Sequence, residues 1–297
     1  MNVMPALSYA LITPARNEEA YIEKTIFSVV NQTHLPIKWI IVSDGSTDRT
    51  DQIARNYSAK YNWIEFIRMP EHVDRQFAAK VYCFNAGLQI LSATKYDIIG
   101  NLDADLSFEC DYFEYLLDKF KRDRELGVAG TPFIEGSSSH YNYDFTNIDH
   151  VSGACQLFRR ECFEEIGGYM PIKGGGIDWV AVTMARMKGW KTRTFTAKTI
   201  FHHRKMGTGK GNWITARYKL GQQDYYLGNH PLWEFLRMLY QMGCKPFLLG
   251  GIILYSGYLV AALKKIESPI PKELKYFYLN EQMKRLMAKI PIIKSKE

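Results

Sequence analysis

Apolar runs alternate with amphipathic stretches over the first 135 residues. Runs such as "LSYALIT", "KWIIVS" and "YDIIGNL" are typical of buried strands. Between them, stretches such as "YIEKTIFSVVNQ" and "CDYFEYLLDKFKRD" repeat apolar residues at helical spacing. Because strands alternate with helices, we predict an α/β class with a parallel sheet and right-handed crossovers.

The pattern changes after residue 135 and again after residue 230. "ACQLFRRECFEEIGGYM" predicts a strand and a short helix, and "GGGIDWVAVTMARMKGW" predicts a loop followed by an amphipathic helix. Residues 247–263 carry no charge, and residues 271–290 form a basic amphipathic pattern whose apolar stripe includes Tyr276 and Met287. We predict a catalytic domain over 1–230, with halves 1–135 and 136–230, and a helical C-terminal segment over 231–297.

Polar residues follow three predicted strands at their carboxyl ends. Thr13 to Asn17 follow the first strand, Asp44 follows "KWIIVS", and Asp103 and Asp105 follow "YDIIGNL". Ligands of parallel sheets bind at this edge, so we expect the three clusters to converge. Residues two apart in an extended segment point the same way. Two such carboxylates either lie in water or hold a cation.

Charge is concentrated near the C-terminus. Residues 231–297 hold 11 Lys or Arg against 5 Asp or Glu, within a total net charge of +7. A basic segment beside an apolar one favours an anionic membrane surface as partner, and no nucleic acid. The alternative is a core helix packed on the catalytic domain. The five cysteines show no C-x-x-C spacing, which indicates free thiols. With no signal-peptide pattern, we expect a cytoplasmic protein, peripheral or monotopic at the inner face of the cell membrane.

Six motifs occur in an order that resembles the family 2 glycosyltransferases. They are "ITPARNEEAYIEKTIFSVVNQT", "VSDGSTDRT", "NLDADLSFECDYFEYLL", "ACQLFRRECFEEIGGY", "GGIDW" and "FHHR", within residues 7–230. The resemblance implies the GT-A fold, a Rossmann-like α/β sheet that binds a nucleotide-sugar. It also implies a divalent metal and inversion at the anomeric carbon.

The resemblance assigns the acidic motif to the metal and the donor. Asp105 would bind the metal, Asp103 would meet the ribose or a metal-bound water, and Ala104 between them would belong to the donor site. Mn²⁺ or Mg²⁺ would stabilise the charge of the departing diphosphate. Asp44 would accept from a base N–H or a ribose hydroxyl. The alternative for these aspartates is a solvated turn position.

Further donor contacts are expected from the "TPARNEE" motif. Thr13 and Ala15 would offer backbone groups to the base. Glu19 resembles the family's acidic residue near the ribose, or is a first-turn helix charge. Arg16 stands where the family commonly has an aromatic residue, so stacking on the base would be either lost or replaced by a guanidinium, and the base stays unidentified.

The remaining candidates carry charge or proton chemistry. Arg75 and Lys80 would lie near the diphosphate, or are solvated helix charges. Asp178 would be the base that deprotonates the acceptor hydroxyl, or the N-cap of its helix. His202 would complete the metal site, with His203 and a purely structural role as alternatives.

Together with these residues, the resemblance implies an inverting, metal-dependent hexosyltransferase. It would move a sugar from a nucleoside-diphosphate sugar to a glycan or lipid-linked acceptor in cell-surface polysaccharide synthesis. One alternative is a sugar-phosphate nucleotidyltransferase, which usually opens on a Gly-rich loop that "TPARNEEAY" lacks. The other is a non-catalytic protein on the same fold.

Overall fold

The chain forms two compact units in a computed structural model that describes residues 6–71, 77–136, 138–139, 148–204 and 212–289. The units are Met1–Lys205 and Met206–Glu297. The helix that precedes residue 230 therefore groups with the C-terminal helices, although the sequence analysis placed it in the catalytic domain.

Strands belong to the first unit. The described strands are β1 (Tyr9–Ala15), β2 (Lys38–Ser43), β3 (Ile64–Arg68), β4 (Ile98–Leu102), β5 (Leu106–Ser107), β6 (Leu126–Gly130), β7 (Phe133–Glu135), β8 (Ser138–Ser139), β9 (Cys155–Arg159), β10 (Lys191–Thr194) and β11 (Ile200–His202).

Helices occur in both units. Those of the first unit are α1 (Ile22–Val30), α2 (Thr50–Lys60), α3 (Ala78–Ile90), α4 (Tyr112–Arg122), α5 (Arg160–Glu165) and α6 (Ile177–Met187). Those of the second unit are α7 (Trp213–Tyr226), α8 (Pro231–Met242), α9 (Leu249–Leu263) and α10 (Lys272–Lys289).

The central sheet has seven strands in the order β10-β6-β9-β4-β1-β2-β3. Neighbouring strands are parallel except at β9, which runs antiparallel between β4 and β6. The predicted α/β class is confirmed, and the sheet is mainly rather than wholly parallel. The difference arises because β9 comes from the second half of the domain, where strands and helices no longer alternate regularly.

A second, four-stranded sheet has the order β5-β11-β7-β8. The apolar run "LGVAGTPFI" is divided between the two sheets, as β6 and β7. The division falls at Thr131 and Pro132, and proline has no N–H to donate to a strand ladder. This second sheet brings β11 beside β5, which follows the acidic motif.

The core is built from the buried central strands. Leu11 and Ile12 of β1 and Ile40 and Ile41 of β2 have no exposed surface. Near-continuous apolar strands of this kind are typical of a sheet covered by helices on both faces. The polar positions that begin where β1, β2 and β4 end therefore lie on a rigid edge.

The second unit packs helices through glycines. A Cβ atom at Gly221 of α7 would lie 1.8 Å from the carbonyl oxygen of Leu254, and one at Gly257 of α9 would lie 2.1 Å from that of Tyr218. Only glycine permits such a close approach of two helix backbones. Among the helices that the structure describes, none combines the length and apolar composition needed to cross a membrane.

The apolar stripe predicted for α10 does not match the side that is buried. Leu274 and Tyr278 face the interior of the unit, whereas Tyr276 and Met287 are 69% and 63% exposed. Gln282 is buried and accepts a hydrogen bond from the backbone N–H of His230 at 2.7 Å. A polar contact therefore helps to decide the orientation of α10, and apolar spacing alone does not reveal it.

Candidate active site

Three strand ends define a cleft edge in the first unit. β1 lies between β2 and β4, and the chain order departs from β1 in opposite directions on its two sides. Such a switch point is the usual ligand position in an open α/β sheet. Asp44 follows β2 directly, and Asp103 and Asp105 follow β4. The strand order therefore places these acids at one edge of the sheet, as the sequence predicts.

Asp103 forms an ion pair with Lys80 of α3. The backbone N–H of Asp103 donates to the carbonyl oxygen of Ala154 at 2.9 Å, which fixes the start of the acidic motif. Burial alone would lower the pKa of Lys80, but the carboxylates of Asp103, Asp178 and Asp105 outweigh it and raise that pKa. Lys80 is therefore a cation within the acidic cluster rather than a solvated helix charge.

The peptide groups of Gly153 connect this ion pair to Asp178. The carbonyl oxygen of Gly153 accepts from Lys80 at 3.2 Å and from the Asn101 side chain at 2.8 Å. Its N–H donates to Oδ2 of Asp178 at 3.0 Å. A Cβ at Gly153 would lie 2.7 Å from the Cβ of Asp178, so this contact requires glycine.

Asp178 lies in the first turn of α6. The N-cap position of this helix belongs to Gly176, whose φ of 87° is in the left-handed region, and no side chain caps the helix. The alternative of Asp178 as an N-cap is therefore wrong. Its carboxylate faces the Gly153 backbone and not its own helix end.

Asp105 and His202 meet between the two sheets. Asp105 is 6% exposed, and its Oδ2 lies 3.3 Å from Nε2 of His202. The other ring nitrogen of His202, Nδ1, lies 2.8 Å from Oε1 of Glu135 at the end of β7. Burial by itself lowers the pKa of the imidazole, but its hydrogen bonds to Asp105 and Glu135 outweigh that effect and raise the pKa to about 9.

This arrangement places two metal-binding residue types in contact. A metal ion on Nε2 would displace the proton of that nitrogen and leave Nδ1–H donating to Glu135, and metal-binding histidines are commonly oriented by a carboxylate in this way. A carboxylate oxygen suits Mn²⁺, and the imidazole nitrogen of histidine is a common metal ligand. Within the ranges that the structure describes, no group of three or more His, Cys, Asp or Glu could hold a metal. Asp105 and His202 are the two predicted metal ligands, and the structure brings their side chains into contact.

His203 takes a different direction. Its backbone N–H donates to the carbonyl oxygen of Asp105 at 2.9 Å, and its ring Nε2 lies 3.0 Å from the Ser107 hydroxyl. The ring stacks on Tyr21 with the two planes 9° apart. The geometry therefore favours His202 over His203 as the histidine that faces the acidic motif.

Comparison with known proteins identifies the family. The model of the family described as Glycosyl transferase family 2 matches residues 10–167, more than half of the chain. The chain belongs to glycosyl transferase family 2. The matched region contains β1 to β4, the acidic motif and β9.

Curated relatives of this glycosyltransferase include 4,4'-diaponeurosporenoate glycosyltransferases of Staphylococcus aureus. One is 27% identical over 183 residues, which cover 54% of this chain and 46% of the relative. The sequences from other strains are 27% identical over 180 residues. The chain thus spans about half the length of the curated relatives it matches.

Solved structures share the GT-A fold of this glycosyltransferase. The mannosyltransferase PcManGT from Pyrobaculum calidifontis, in complex with GDP-Man and Mn²⁺, has a TM-score of 0.57 and 17% identity over 99% of this chain and 89% of its own. TarS 1-349 of S. aureus, in complex with UDP-GlcNAc, has a TM-score of 0.56 and 14% identity over 92% of this chain and 79% of its own.

The base-binding candidates of the glycosyltransferase surround Asp44. Nη1 of Arg16 lies 3.3 Å from Oδ2 of Asp44, and the thiol of Cys83 lies 3.6 Å from Oδ1. The backbone N–H of Asp44 donates to the carbonyl oxygen of Ala15 at 2.8 Å. The residue that departs from the family pattern, Arg16, therefore contacts the acid expected to read the base.

Two other donor candidates lie inside the fold. Thr13 is fully buried in the sheet, and its hydroxyl accepts from the indole N–H of Trp39 at 2.9 Å. Ala104 is buried between the two acids of the motif. Both residues are part of the buried structure at the edge of the site. Their donor contacts stay predictions.

The structure does not bring Glu19 to the acidic cluster. Its Oε2 lies 3.2 Å from Nε of Arg49 and accepts the backbone N–H of the same residue, at the start of α2. Glu19 precedes α1, whose first turn holds Glu23 instead, so the first-turn alternative does not describe it, and its ribose contact stays a prediction. Arg75 lies outside the described residues, and its role stays a prediction.

The sequence analysis missed Glu18 and Arg204, which lie beside Asp105. Arg204 forms an ion pair with Glu18, and its Nε lies 3.7 Å from Oδ2 of Asp105. Burial and the charge of Asp105 raise the pKa of Glu18 to about 8, against Arg204, which lowers it. Both residues occur in the motifs "ARNEE" and "FHHR". Glu18 has the same residue type as its neighbour Glu19, and Arg204 follows two histidines in its motif. Residue type alone therefore does not indicate that Glu18 and Arg204 belong to the site.

Proposed function

We propose that this glycosyltransferase is a metal-dependent, inverting hexosyltransferase. It transfers a sugar from a nucleoside-diphosphate sugar to a hydroxyl group of a glycan or lipid-linked acceptor in cell-surface polysaccharide synthesis. The observation that carries the proposal is the meeting of Asp105 with a carboxylate-oriented His202, next to the Asp103–Lys80 ion pair.

Asp105 and His202 would hold Mn²⁺ or Mg²⁺ at this edge of the sheet. A bound divalent ion supplies positive charge that stabilises the leaving nucleoside diphosphate. Around it, the guanidinium of Arg204 and the ammonium of Lys80 place two further cations at this edge of the sheet. Positive charge that is in place before the reaction stabilises the negative charge that develops on a leaving diphosphate.

Asp178 would act as the general base. Inversion requires that the acceptor hydroxyl attacks from the face opposite the leaving group while a base removes its proton. The N–H of Gly153 holds one oxygen of Asp178, which fixes the direction of the carboxylate. The carbonyl oxygen of the same glycine accepts a hydrogen bond from Lys80. The backbone of Gly153 therefore contacts both the base and the ion pair of the donor site.

The donor and the partners follow from the same site and from the charge of the chain. Asp44 and Arg16 would contact the nucleobase, and the structures bound to GDP-Man and UDP-GlcNAc support a nucleotide-sugar as donor class. The net charge of the C-terminal segment supports an anionic membrane surface as the second partner. A lipid-linked acceptor would be met at that surface.

Product analysis tests the proposal. The protein is incubated with Mn²⁺ and, in separate reactions, with a panel of nucleotide-sugars or with nucleoside triphosphates plus a sugar 1-phosphate, and released nucleoside diphosphate and pyrophosphate are both measured. We expect nucleoside diphosphate from one donor, and Asp178→Asn should reduce turnover about a thousandfold while donor affinity stays unchanged. Pyrophosphate release would contradict the proposal and favour the nucleotidyltransferase. Weakened donor affinity with intact turnover would show that Asp178 is not the base.

A further inference from the structure

Helix α8 exposes an apolar stripe. Leu232, Phe235, Leu236 and Leu239 follow the spacing i, i+3, i+4, i+7, which places them on one side of the helix. Each of these side chains is 38–47% exposed. A surface helix normally turns such a stripe toward the core, so an exposed one indicates an interaction surface.

Helix α9 continues this apolar surface. Leu249, Ile252, Leu259 and Leu263 lie on one side of it and are 43–82% exposed. Between the two helices, Phe247 and Leu248 are also more than half exposed. We call these residues the hairpin face: Leu232, Phe235, Leu236, Leu239, Phe247, Leu248, Leu249, Ile252, Leu259 and Leu263.

The two stripes face the same side of the hairpin. α8 and α9 pack together, with the rings of Phe235 and Tyr255 6.1 Å apart. Helices joined by a short loop are antiparallel neighbours. Gly251 of α9 lies against Met238 and Met242 of α8. In each helix the exposed stripe lies about a quarter turn beyond these contacting residues, in the same rotational sense. For antiparallel helices, this relation places both stripes on one surface.

Positive charge predominates at the hairpin face, where Glu234 of α8 is buried and Glu267 is the exposed acid that follows the lysines after α9. Residues 235–266 contain no Asp or Glu, whereas they contain Arg237, Lys245, Lys264 and Lys265. The three lysines are exposed, one in the loop and two directly after α9. An apolar surface edged by lysines complements an anionic lipid surface, because each lysine near such a surface adds attraction. Two copies of this face would bring like charges together, which disfavours a dimer.

The helices suit an interfacial position. α9 has 15 residues, which corresponds to about 22 Å, less than the roughly 30 Å of a hydrocarbon core. Its opposite side is covered by α7 through Gly221 and Gly257. At the tip, Leu248 has a φ of 61°, a conformation that favours glycine or asparagine. A large apolar side chain is thus retained at this exposed position despite backbone strain.

We propose that the hairpin face docks on an anionic lipid membrane, with α8 and α9 lying in the interface and residues 247–249 inserted. This inference rests on the membrane association included in the proposed function, and it assigns that association to α8 and α9. α10 exposes Tyr276 and Met287, a smaller apolar surface than the hairpin face, so the inserted residues are assigned to α8, α9 and the loop between them.

Vesicle flotation of the full chain tests this assignment. Vesicles of phosphatidylcholine alone are compared with vesicles containing a quarter phosphatidylglycerol, for the wild type and three variants. The apolar variant is Phe247→Ser with Leu248→Asn and Ile252→Ser, and the charge variant is Lys264→Glu with Lys265→Glu. The control variant is Phe27→Ser with Lys60→Glu, which changes an exposed aromatic side chain and an exposed lysine of the first unit.

We expect wild type and control to bind the anionic vesicles, and both hairpin variants to lose at least about tenfold in partition coefficient. Melting temperatures of all variants establish that they are folded. Unchanged binding by the folded apolar variant would overturn the assignment. Wild-type self-association that the apolar variant abolishes, without vesicle binding, would overturn it in favour of a second copy. Nucleotide binding in the absence of vesicles is measured on the same samples. Absence of nucleotide binding would count against the transferase proposal, independently of the result for membrane binding.

Discussion

Single side chains decide how His202 can act. Glu135 contacts one ring nitrogen and Asp105 contacts the other, so the ring is held from both sides in the interior of the site. A histidine with only one partner could turn or change tautomer. The second contact therefore distinguishes a positioned ligand from a histidine that merely fills space.

At this scale we predict that Glu135→Gln weakens metal binding. The neutral amide of glutamine accepts a weaker hydrogen bond from Nδ1–H than the carboxylate of glutamate does. Nε2 therefore loses its fixed orientation toward Asp105. Loss of such an outer contact typically costs about 10- to 100-fold in metal affinity. A Mn²⁺ titration in the presence of nucleoside diphosphate measures the change.

The matched control is Glu109→Gln, because Glu109 is an exposed carboxylate that pairs with Lys198 in the same unit. It should bind Mn²⁺ as the wild type does. Equal affinity of Glu135→Gln and wild type would show that Glu135 does not position the histidine.

At the scale of elements, the helical unit depends on close contact between α7 and α9. Gly221 and Gly257 lie against the backbone of the facing helix, where any side chain must displace a carbonyl group. Backbone atoms move less easily than side-chain ends. We therefore expect a larger cost at these positions than at ordinary helix glycines.

Gly257→Ala should destabilise the chain by about 1–3 kcal/mol through overpacking. Gly250→Ala in the same helix serves as the control, because its added Cβ would meet its nearest neighbour at 3.7 Å. That substitution should be neutral, or stabilising by about 0.5–1 kcal/mol. Urea unfolding of both variants tests the pair, and equal stability would contradict the packing described for α7 and α9.

A buried ionic cluster joins α7 to α8. Asp224 pairs with Arg237, whose Nη1 also lies 3.7 Å from Oε2 of Glu234. Burial raises the pKa of Asp224 to about 7, although the charge of Arg237 lowers it. An unfolded chain releases this proton near the ordinary pKa of about 3.9. The folded state therefore holds an additional proton between these two values.

Stability from this proton is fully present below about pH 4 and is lost as the pH rises toward 7. Asp224→Asn cannot titrate, so its melting temperature should fall less than that of the wild type between pH 5 and 7.5. Asp118→Asn, at an exposed pair with Arg122, controls for general charge effects. Parallel curves for wild type and Asp224→Asn would contradict the raised pKa.

At the scale of the whole molecule, the sequence predicts the α/β framework well. Buried strands and amphipathic helices have distinct periods, so β1 to β4 and their helices were recognisable. The antiparallel insertion of β9 was not, because pairing depends on contacts distant in sequence. The buried face of α10 was also misjudged, since Gln282 enters the interior through a polar contact.

In the site, too, the features that depend on neighbouring residues were predictable, and those that depend on contacts distant in sequence were not. Strand ends predict that Asp44, Asp103 and Asp105 converge, because the edge of a parallel sheet is a geometric consequence of its order. The choice of His202 over His203 depends on the second sheet, whose strands are short and lack a clear pattern. Glu18 was missed because neighbouring glutamates differ only in the direction that the backbone gives them.

The most direct test of the account is a thermal-shift panel of nucleoside diphosphates with and without Mn²⁺, on wild type and Asp105→Asn. A ligand that binds only the folded state raises the melting temperature according to its affinity. We predict that one nucleotide stabilises the wild type only when Mn²⁺ is present, and that Asp105→Asn removes this shift. An equal, metal-dependent shift in the variant would contradict the central claim that Asp105 binds the metal of a nucleotide-sugar site.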